Sequence, residues 1–298
     1  MNPIDASIRE QYVREGFVVL PDVVSQETIA NLRCVTDEFV ERSRSASRND
    51  AVFDLEDGHS AAEPRLRRIV SPHRWHPAYA ELVRHPGIVA ALQRLIGPDV
   101  RFDQSKLNMK SGGFGSPVEW HQDWAFYPHT NDDLAAVGIM IDDADLENGA
   151  MLVLPGSHRG PIYDHHAEGR FCGAIDVARS GLDVSGAVPL IGRAGSITVH
   201  HARLVHGSAT NLSNRPRRFL LHQYRAADAW PLIRRPNTWE EWSALLVAGK
   251  ETLEPRLVQI PVRLPLPAAL NEGSIYENQR KLENRYFDTS LPTVRPSR

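Results

Sequence analysis

The sequence predicts an antiparallel β-sandwich or barrel with helices packed against its outside. Two observations carry that expectation. Helical periodicity is concentrated in about the first hundred residues, and from Val100 to about Tyr224 the chain changes to short apolar stretches broken by Gly, Pro, Asn and Asp. No internal repeat and no clear break divide the chain, so residues 1–298 read as one domain: helical support over about 1–98, a β core over about 99–225 and a C-terminal extension over about 226–298.

The elements follow in order. Ile8 to Glu15 reads as a short helix closed by Gly16, ahead of a strand-like Phe17-Val18-Val19-Leu20 and a turn at Pro21-Asp22. Ser25 is a good N-cap, and Ile29, Leu32, Val35 and Phe39 keep helical spacing to about Ser43. Residues 44–63 are polar and read as loop. Helices are expected at Pro77–Arg84 and Pro86–Leu95, the second stopped by Gly97-Pro98. Strands are expected at 100–109, 134–141, 150–154, 187–191, 195–200, 203–206 and 217–225, with Asn148-Gly149 marking a hairpin turn. The connection 157–186 has several glycines and no strong period, which suits a lid or an insertion. Trp239–Val247 looks helical, and the proline-rich tail beyond Leu253 is expected to wrap the surface.

Composition narrows the function classes. With 34 basic and 37 acidic side chains the net charge is −3, which argues against nucleic acid or an anionic membrane as the main partner. The longest apolar run, Leu134 to Ile141, is far short of the roughly 20 residues of a membrane helix. Cys34 and Cys172 lie far apart with no CxxC spacing, and no basic, apolar leader opens the chain. A soluble, cytoplasmic protein is expected; the composition says nothing of oligomeric state.

The segment that points to chemistry is Glu119-Trp120-His121-Gln122-Asp123. His121 and Asp123 are two apart, so on an extended backbone an imidazole and a carboxylate project to one side and can share a metal ion. Alone the pair is weak, because His-x-Asp also occurs in solvated loops. A third ligand is offered by His206, in Leu204-Val205-His206-Gly207-Ser208, at the end of a strand-like stretch. Two histidines and one carboxylate on one face of an octahedron, with the other positions open, is the arrangement of non-haem Fe(II) oxygenases.

Together, Trp120-His121-Gln122-Asp123, Glu147-Asn148-Gly149 through Pro155-Gly156-Ser157-His158, and His206-Gly207-Ser208 with Arg217 resemble the phytanoyl-CoA dioxygenase family of Fe(II)/2-oxoglutarate oxygenases, and within it the bacterial ectoine hydroxylases. The similarity runs from about Phe17 to Tyr224. It implies a double-stranded β-helix (jelly-roll) barrel, Fe(II) as metal, 2-oxoglutarate and O2 as co-substrates, and oxidation of a small molecule with release of succinate and CO2. By the same resemblance His121, Asp123 and His206 correspond to the iron ligands. Arg217, eleven residues beyond His206, corresponds to the arginine that binds the far carboxylate of 2-oxoglutarate, and Ser208 to the hydroxyl that assists it. Asn108 matches an asparagine of the ectoine hydroxylase branch that contacts the same co-substrate, and Gln104 a glutamine near the substrate. Halogenases on this scaffold replace the carboxylate ligand by a small residue, so Asp123 implies hydroxylation or a related oxidation.

Elementary chemistry agrees with parts of this. A guanidinium fork fits a carboxylate in a way lysine does not reproduce. Arg215 and Arg218 compete with Arg217 for the role, but Arg218 should point away from the face of Arg217, Phe219 and Leu221. Trp124, Phe126 and Tyr127 follow the His-x-Asp pair and are candidates for the substrate pocket or for core packing. Arg203 and Arg225 suit an anionic substrate or surface ion pairs, and Lys106 and Lys110 share the Asn108 face. His158, His165-His166 and His200-His201 read as structural or surface histidines, with His200 on the parity of His206. Asp132-Asp133 and Asp142-Asp143 read as turn residues at strand ends. Two other functions use the same ligands: a metal-bearing binding protein that does not turn over, and a zinc hydrolase, which has no use for Ser208 and Arg217 together.

Overall fold

The computed structural model describes residues 6–113, 115–233, 238–269 and 274–287. In chain order its elements are α1 (Ala6–Glu15), β1 (Phe17–Leu20), α2 (Gln26–Arg42), β2 (Phe53–Leu55), β3 (Leu66–Val70), α3 (Pro77–Leu82), α4 (Pro86–Leu95), β4 (Val100–Lys110), β5 (Val118–His121), β6 (Leu134–Met140) and β7 (Leu152–Val153). There follow β8 (His166–Ala167), β9 (Arg170–Phe171), α5 (Val177–Ser180), β10 (Val188–Pro189), β11 (Ile197–His201), β12 (His206–Ser208), β13 (Arg217–Ala226), α6 (Trp239–Ala244), β14 (Leu246–Ala248) and α7 (Ile275–Asn278). No described helix is long and apolar enough to cross a membrane.

Two antiparallel sheets form the expected double-stranded β-helix. The larger runs β1-β11-β6-β13-β4-β3-β2, with β14 on β4, and the smaller runs β10-β7-β12-β5. Helices cover the outer face of the larger sheet. Ser25 caps α2, accepting the Thr28 N–H at 3.1 Å, and the 3.6-residue stripe Ile29, Leu32, Val35, Phe39 is buried against Leu107, Val137, Ile139, Val199 and Leu220 of the sheet. Strand β6 is buried along its whole length, because one face meets the helices and the other the interior of the barrel. That is why it reads as an apolar run and not as an alternation. At Gly138 an added Cβ would lie 2.0 Å from Cζ of Phe219 on β13, so a side chain there forces the ring to shift.

Several expectations are corrected. Residues 44–63 are not all loop, and the first hundred residues are not only helical: β2 and β3 join the larger sheet beside β4. Their charged residues are consumed internally. Arg67 is buried with Glu56 and Asp57, both at 2.8 Å, and Arg68 pairs with Asp54 at 3.2 Å. The Asn148-Gly149 turn exists, and the Asn148 amide donates to Asp143 O at 2.7 Å, but it joins strands of different sheets and makes no hairpin. The chain turns at Ala202–Arg203, Leu204 and Val205 lie outside any strand, and the strand begins at His206. Helix α6 ends at Ala244, and the chain re-enters the larger sheet as β14. The tail beyond Leu253 does more than wrap the surface, since Pro265, Ser274 and Ile275 line the principal cavity.

Candidate active site

His121 closes β5 and His206 opens β12, and the two are direct cross-strand partners with ring centroids 4.0 Å apart. Asp123 does not lie on a strand; it opens a single 3-10 turn, Asp123–Ala125. Gln122 before it is extended (φ −121°, ψ 127°), so the alternation survives one residue further and returns the carboxylate to the side of His121. Candidate ligand atoms of His121, Asp123 and His206 all lie within 4.8 Å of one another, and all three residues are buried.

Local hydrogen bonds set the imidazoles for a metal. His121 Nδ1 donates to Glu119 O at 2.8 Å and His206 Nδ1 to Leu204 O at 2.9 Å, which leaves both Nε2 lone pairs free for a metal. Burial, the largest cause, holds His121 down to about 4 and His206 well below the ordinary range, so both are neutral at pH 7. Burial pushes the Asp123 carboxyl up, but the Lys106 ammonium, with His200 and His206, outweighs it and holds the group well below the usual carboxylate range. Neutral imidazoles with an ionised carboxylate form the donor set of an open transition-metal site. Gln122 braces the segment: its amide donates to Pro161 O and Arg203 O, and its backbone N–H donates to His165 Nε2 at 2.9 Å.

Beside the triad lies an unbalanced pair of charges. The inward faces of β4 and β13 set Lys110 opposite Arg217, Asn108 opposite Phe219, Lys106 opposite Leu221 and Gln104 opposite Gln223. Arg217 donates through Nη2 to Gly149 O at 2.9 Å, and its Nε is buried without a partner. Burial lowers its guanidinium pKa to about 10. Lys110 donates to Ser208 Oγ at 2.9 Å and to Ala209 O; burial first, then Arg217, holds its pKa well below the lysine range. Among the described residues neither cation has a carboxylate in hydrogen-bond contact. Asn108 Oδ1 and Tyr276 OH are also buried without partners. Two buried cations and unfilled polar atoms are the surroundings a dicarboxylate such as 2-oxoglutarate would satisfy. The rival arginines are already engaged: Arg218 faces α2, bonding Asp142 at 2.8 Å and Asp37 at 2.8 Å, and Arg215 pairs with Asp145 at the surface.

A cavity of about 1200 Å³ reaches Asp123, with Gln104, Lys106, Tyr127, Gln223 and Arg225 on its wall. Gln104 donates to Gln223, and Gln223 to Tyr127 OH and, at 3.5 Å, to Asp123 Oδ2. Arg225 is tied to Asp103 and lies over Trp242, 4.6 Å from the ring centroid. Phe171 closes the wall from the 157–186 connection. Trp124, expected at the mouth, is instead core: the 3-10 turn carries it among Leu134, Ala202, Ala226 and Ala229, with Nε1 donating to Pro261 O at 3.1 Å. Arg203 is an ion-pair residue, bonded to Asp132 at 2.8 Å.

Some site residues escaped the sequence reading. Gln223 shares the parity of Arg217, a signal that was there to be used. His200, noted in the sequence for sharing the parity of His206, does not share a strand with it, yet its Nε2 lies 3.7 Å from Asp123 Oδ2 and its ring 4.8 Å from that of His206. Nothing in the sequence marks Gln122 and His165 as braces, because their partners are distant backbone groups.

The family model for phytanoyl-CoA dioxygenase (PhyH) matches residues 12–219. The chain is 37% identical over 286 residues to a probable alpha-ketoglutarate-dependent hypophosphite dioxygenase of Stutzerimonas stutzeri, covering 95% of this chain and 99% of the relative. It is 30% identical over 248 residues to L-proline trans-4-hydroxylase of Streptomyces griseoviridis, covering 76% and 88%. Among solved structures, EctD from S. alaskensis with bound Fe aligns with a TM-score of 0.63 at 23% identity over 89% of this chain and 91% of that one, a likeness of fold.

Proposed function

Since the chain belongs to the phytanoyl-CoA dioxygenase family, we propose that His121, Asp123 and His206 hold its Fe(II) and that Arg217, Lys110, Ser208 and Asn108 receive 2-oxoglutarate. The protein is an Fe(II)- and 2-oxoglutarate-dependent dioxygenase that oxidises a small molecule and releases succinate and CO2. Bound iron supplies the open coordination positions and the redox chemistry. The chain's residues do the rest. The Arg217 fork takes the far carboxylate, Lys110 balances the remaining charge, and the Ser208 hydroxyl, oriented by Lys110, adds a third donor. The Gln104–Gln223–Tyr127 network fixes the Asp123 carboxylate and forms part of the substrate wall. Residues 1–298 act as one oxygenase domain, in the cytoplasm, where Cys34 and Cys172 remain free thiols.

The observation that carries the reading is the buried His-Asp-His cluster beside two buried cations that, among the described residues, have no carboxylate in hydrogen-bond contact. A zinc hydrolase has no need of both; a silent binding protein would keep both and is separated by turnover alone. By its name the Stutzerimonas relative acts on hypophosphite, which makes that anion the first substrate to test, with L-proline as the second. The test is anaerobic loading with Fe(II) and 2-oxoglutarate, then air, with succinate measured for wild type and His206→Ala in the presence of each compound. Succinate from wild type alone supports the reading. Bound iron and 2-oxoglutarate with no succinate for any compound would favour the silent binding protein.

A further inference from the structure

We propose that Lys106 anchors the substrate, and that the substrate is a small oxyanion such as hypophosphite, held by its own reacting group. The inference rests on the oxygenase reading above and adds the substrate's charge and the residue that meets it. Lys106 lies on the inward face of β4 between Gln104 and Asn108, opposite Leu221 of β13 and Val70 of β3, and it shares the cavity wall with Asp123. Its ammonium is attracted by Asp123 and repelled by Arg68. Among the described residues it has no hydrogen-bond acceptor and no ion-pair partner. The other cations of the wall differ. Arg68 is paired with Asp54 and Arg225 with Asp103, while Arg74 sits at the exposed rim.

The charge balance then points to a ligand. Among the described residues Asp123 is the carboxylate that compensates Lys106, and a divalent cation on the triad claims that carboxylate. An enclosed ammonium without a counter-charge is costly, and an anion on Lys106 removes the cost. The position also speaks to size. A metabolite with an anionic group remote from its reacting atom would be met at the rim, near Arg74. An anchor beside a metal ligand instead holds the reacting group itself. An ammonium with three rotatable donors suits a compact tetrahedral oxyanion as well as a planar carboxylate. For hypophosphite the step replaces one P–H bond by P–OH. One oxygen atom of O2 enters the phosphorus product and the other enters succinate. Two electrons come from the P–H bond and two from 2-oxoglutarate as it loses CO2.

The experiment is anaerobic calorimetric titration of protein loaded with Fe(II) and 2-oxoglutarate, using sodium hypophosphite and L-proline, on wild type, Lys106→Gln and Lys106→Arg. Wild type is expected to bind hypophosphite in preference to L-proline. Lys106→Gln should weaken hypophosphite roughly 10- to 100-fold, the loss expected for one charge-assisted contact, and Lys106→Arg should recover part of it. Iron and 2-oxoglutarate affinities, measured in the same series, should fall less than hypophosphite affinity does. Equal hypophosphite binding by wild type and Lys106→Gln overturns the anchor. So does a fall in iron or 2-oxoglutarate affinity in Lys106→Gln with hypophosphite binding intact, which would make Lys106 a positioning residue for Asp123. Wild type that takes 2-oxoglutarate but no oxyanion overturns the anchor and leaves the oxygenase standing, whereas wild type that takes no 2-oxoglutarate overturns both.

Discussion

Replacing Arg217 by lysine keeps a positive charge on the inward face of β13 and removes the planar fork. In the folded protein Arg217 spends one Nη2 bond on Gly149 O and keeps Nε unpaired. The remaining donors are what a carboxylate can use in a bidentate way. A lysine ammonium, shorter and without the fixed fork, keeps at most one of the two bonds and sits next to Lys110, whose charge burial already disfavours. Loss of one charge-assisted bond costs about 1.5–3 kcal/mol, or roughly a 10- to 150-fold weaker 2-oxoglutarate complex. The assay is anaerobic titration of Fe(II)-loaded protein with 2-oxoglutarate, followed by quenching of Trp120, which is buried one residue before His121. Arg218→Lys is the matched control, because Arg218 bonds Asp142 and Asp37 on the opposite face. It should lower stability and leave 2-oxoglutarate binding unchanged. An Arg217→Lys affinity within about twofold of wild type, or an equal loss in Arg218→Lys, would refute the assignment.

Four further outcomes are expected. Gly138→Ala places a methyl group against Cζ of Phe219 and should cost about 1–3 kcal/mol, read as a lower urea midpoint with an unchanged slope; an unchanged midpoint would show that the ring moves freely. Burial, the leading cause in each case, holds His129 down to about 4 and His165 and His222 to about 3, against about 6.5 in an unfolded chain. A base depressed in this way takes its proton first in the unfolded state, so stability is full above about pH 6.5 and falls as the pH drops from there toward 4 and then 3. Thermal unfolding should show Tm declining below about pH 6.5, and a flat profile would contradict neutral, buried rings. Glu119→Ala removes the carboxylate that accepts the Tyr286 N–H at 2.8 Å and the Phe287 N–H, so limited proteolysis should cut segment 274–287 severalfold faster than in wild type. His206→Ala should abolish tight iron binding with little change in far-ultraviolet circular dichroism, since the residue is one of three ligands and lies on a short strand of the smaller sheet.

Much of the architecture was legible because its signals are local. Ser25 announced α2, the apolar run at 134–141 announced a strand, and parity alone separated Arg217 from Arg218. The His-x-Asp pair was visible as a motif, although its geometry comes from an extended Gln122 leading into a 3-10 turn. What stayed hidden depends on partners distant in sequence. β2 lay inside a polar stretch that read as loop and β3 was not assigned, because the charges of Arg67 and Arg68 are met by Glu56 and Asp57 and by Asp54, partners the local sequence does not reveal. Trp124 looked like a pocket residue by proximity to Asp123, and one tight turn sends it to the core. Lys110 stood on the correct face, but only its register opposite Arg217 makes it half of an uncompensated pair. His200 has the right parity for a reason the chain order does not contain, since a turn separates it from His206.

The most direct test of the account is coupled turnover. Protein loaded anaerobically with Fe(II) and 2-oxoglutarate is exposed to air with hypophosphite, and succinate and phosphite are counted together. Succinate and phosphite are expected in equal amounts in wild type, with both lost in His206→Ala and sharply reduced in Arg217→Lys. Phosphite without succinate, or turnover that survives His206→Ala, would contradict it.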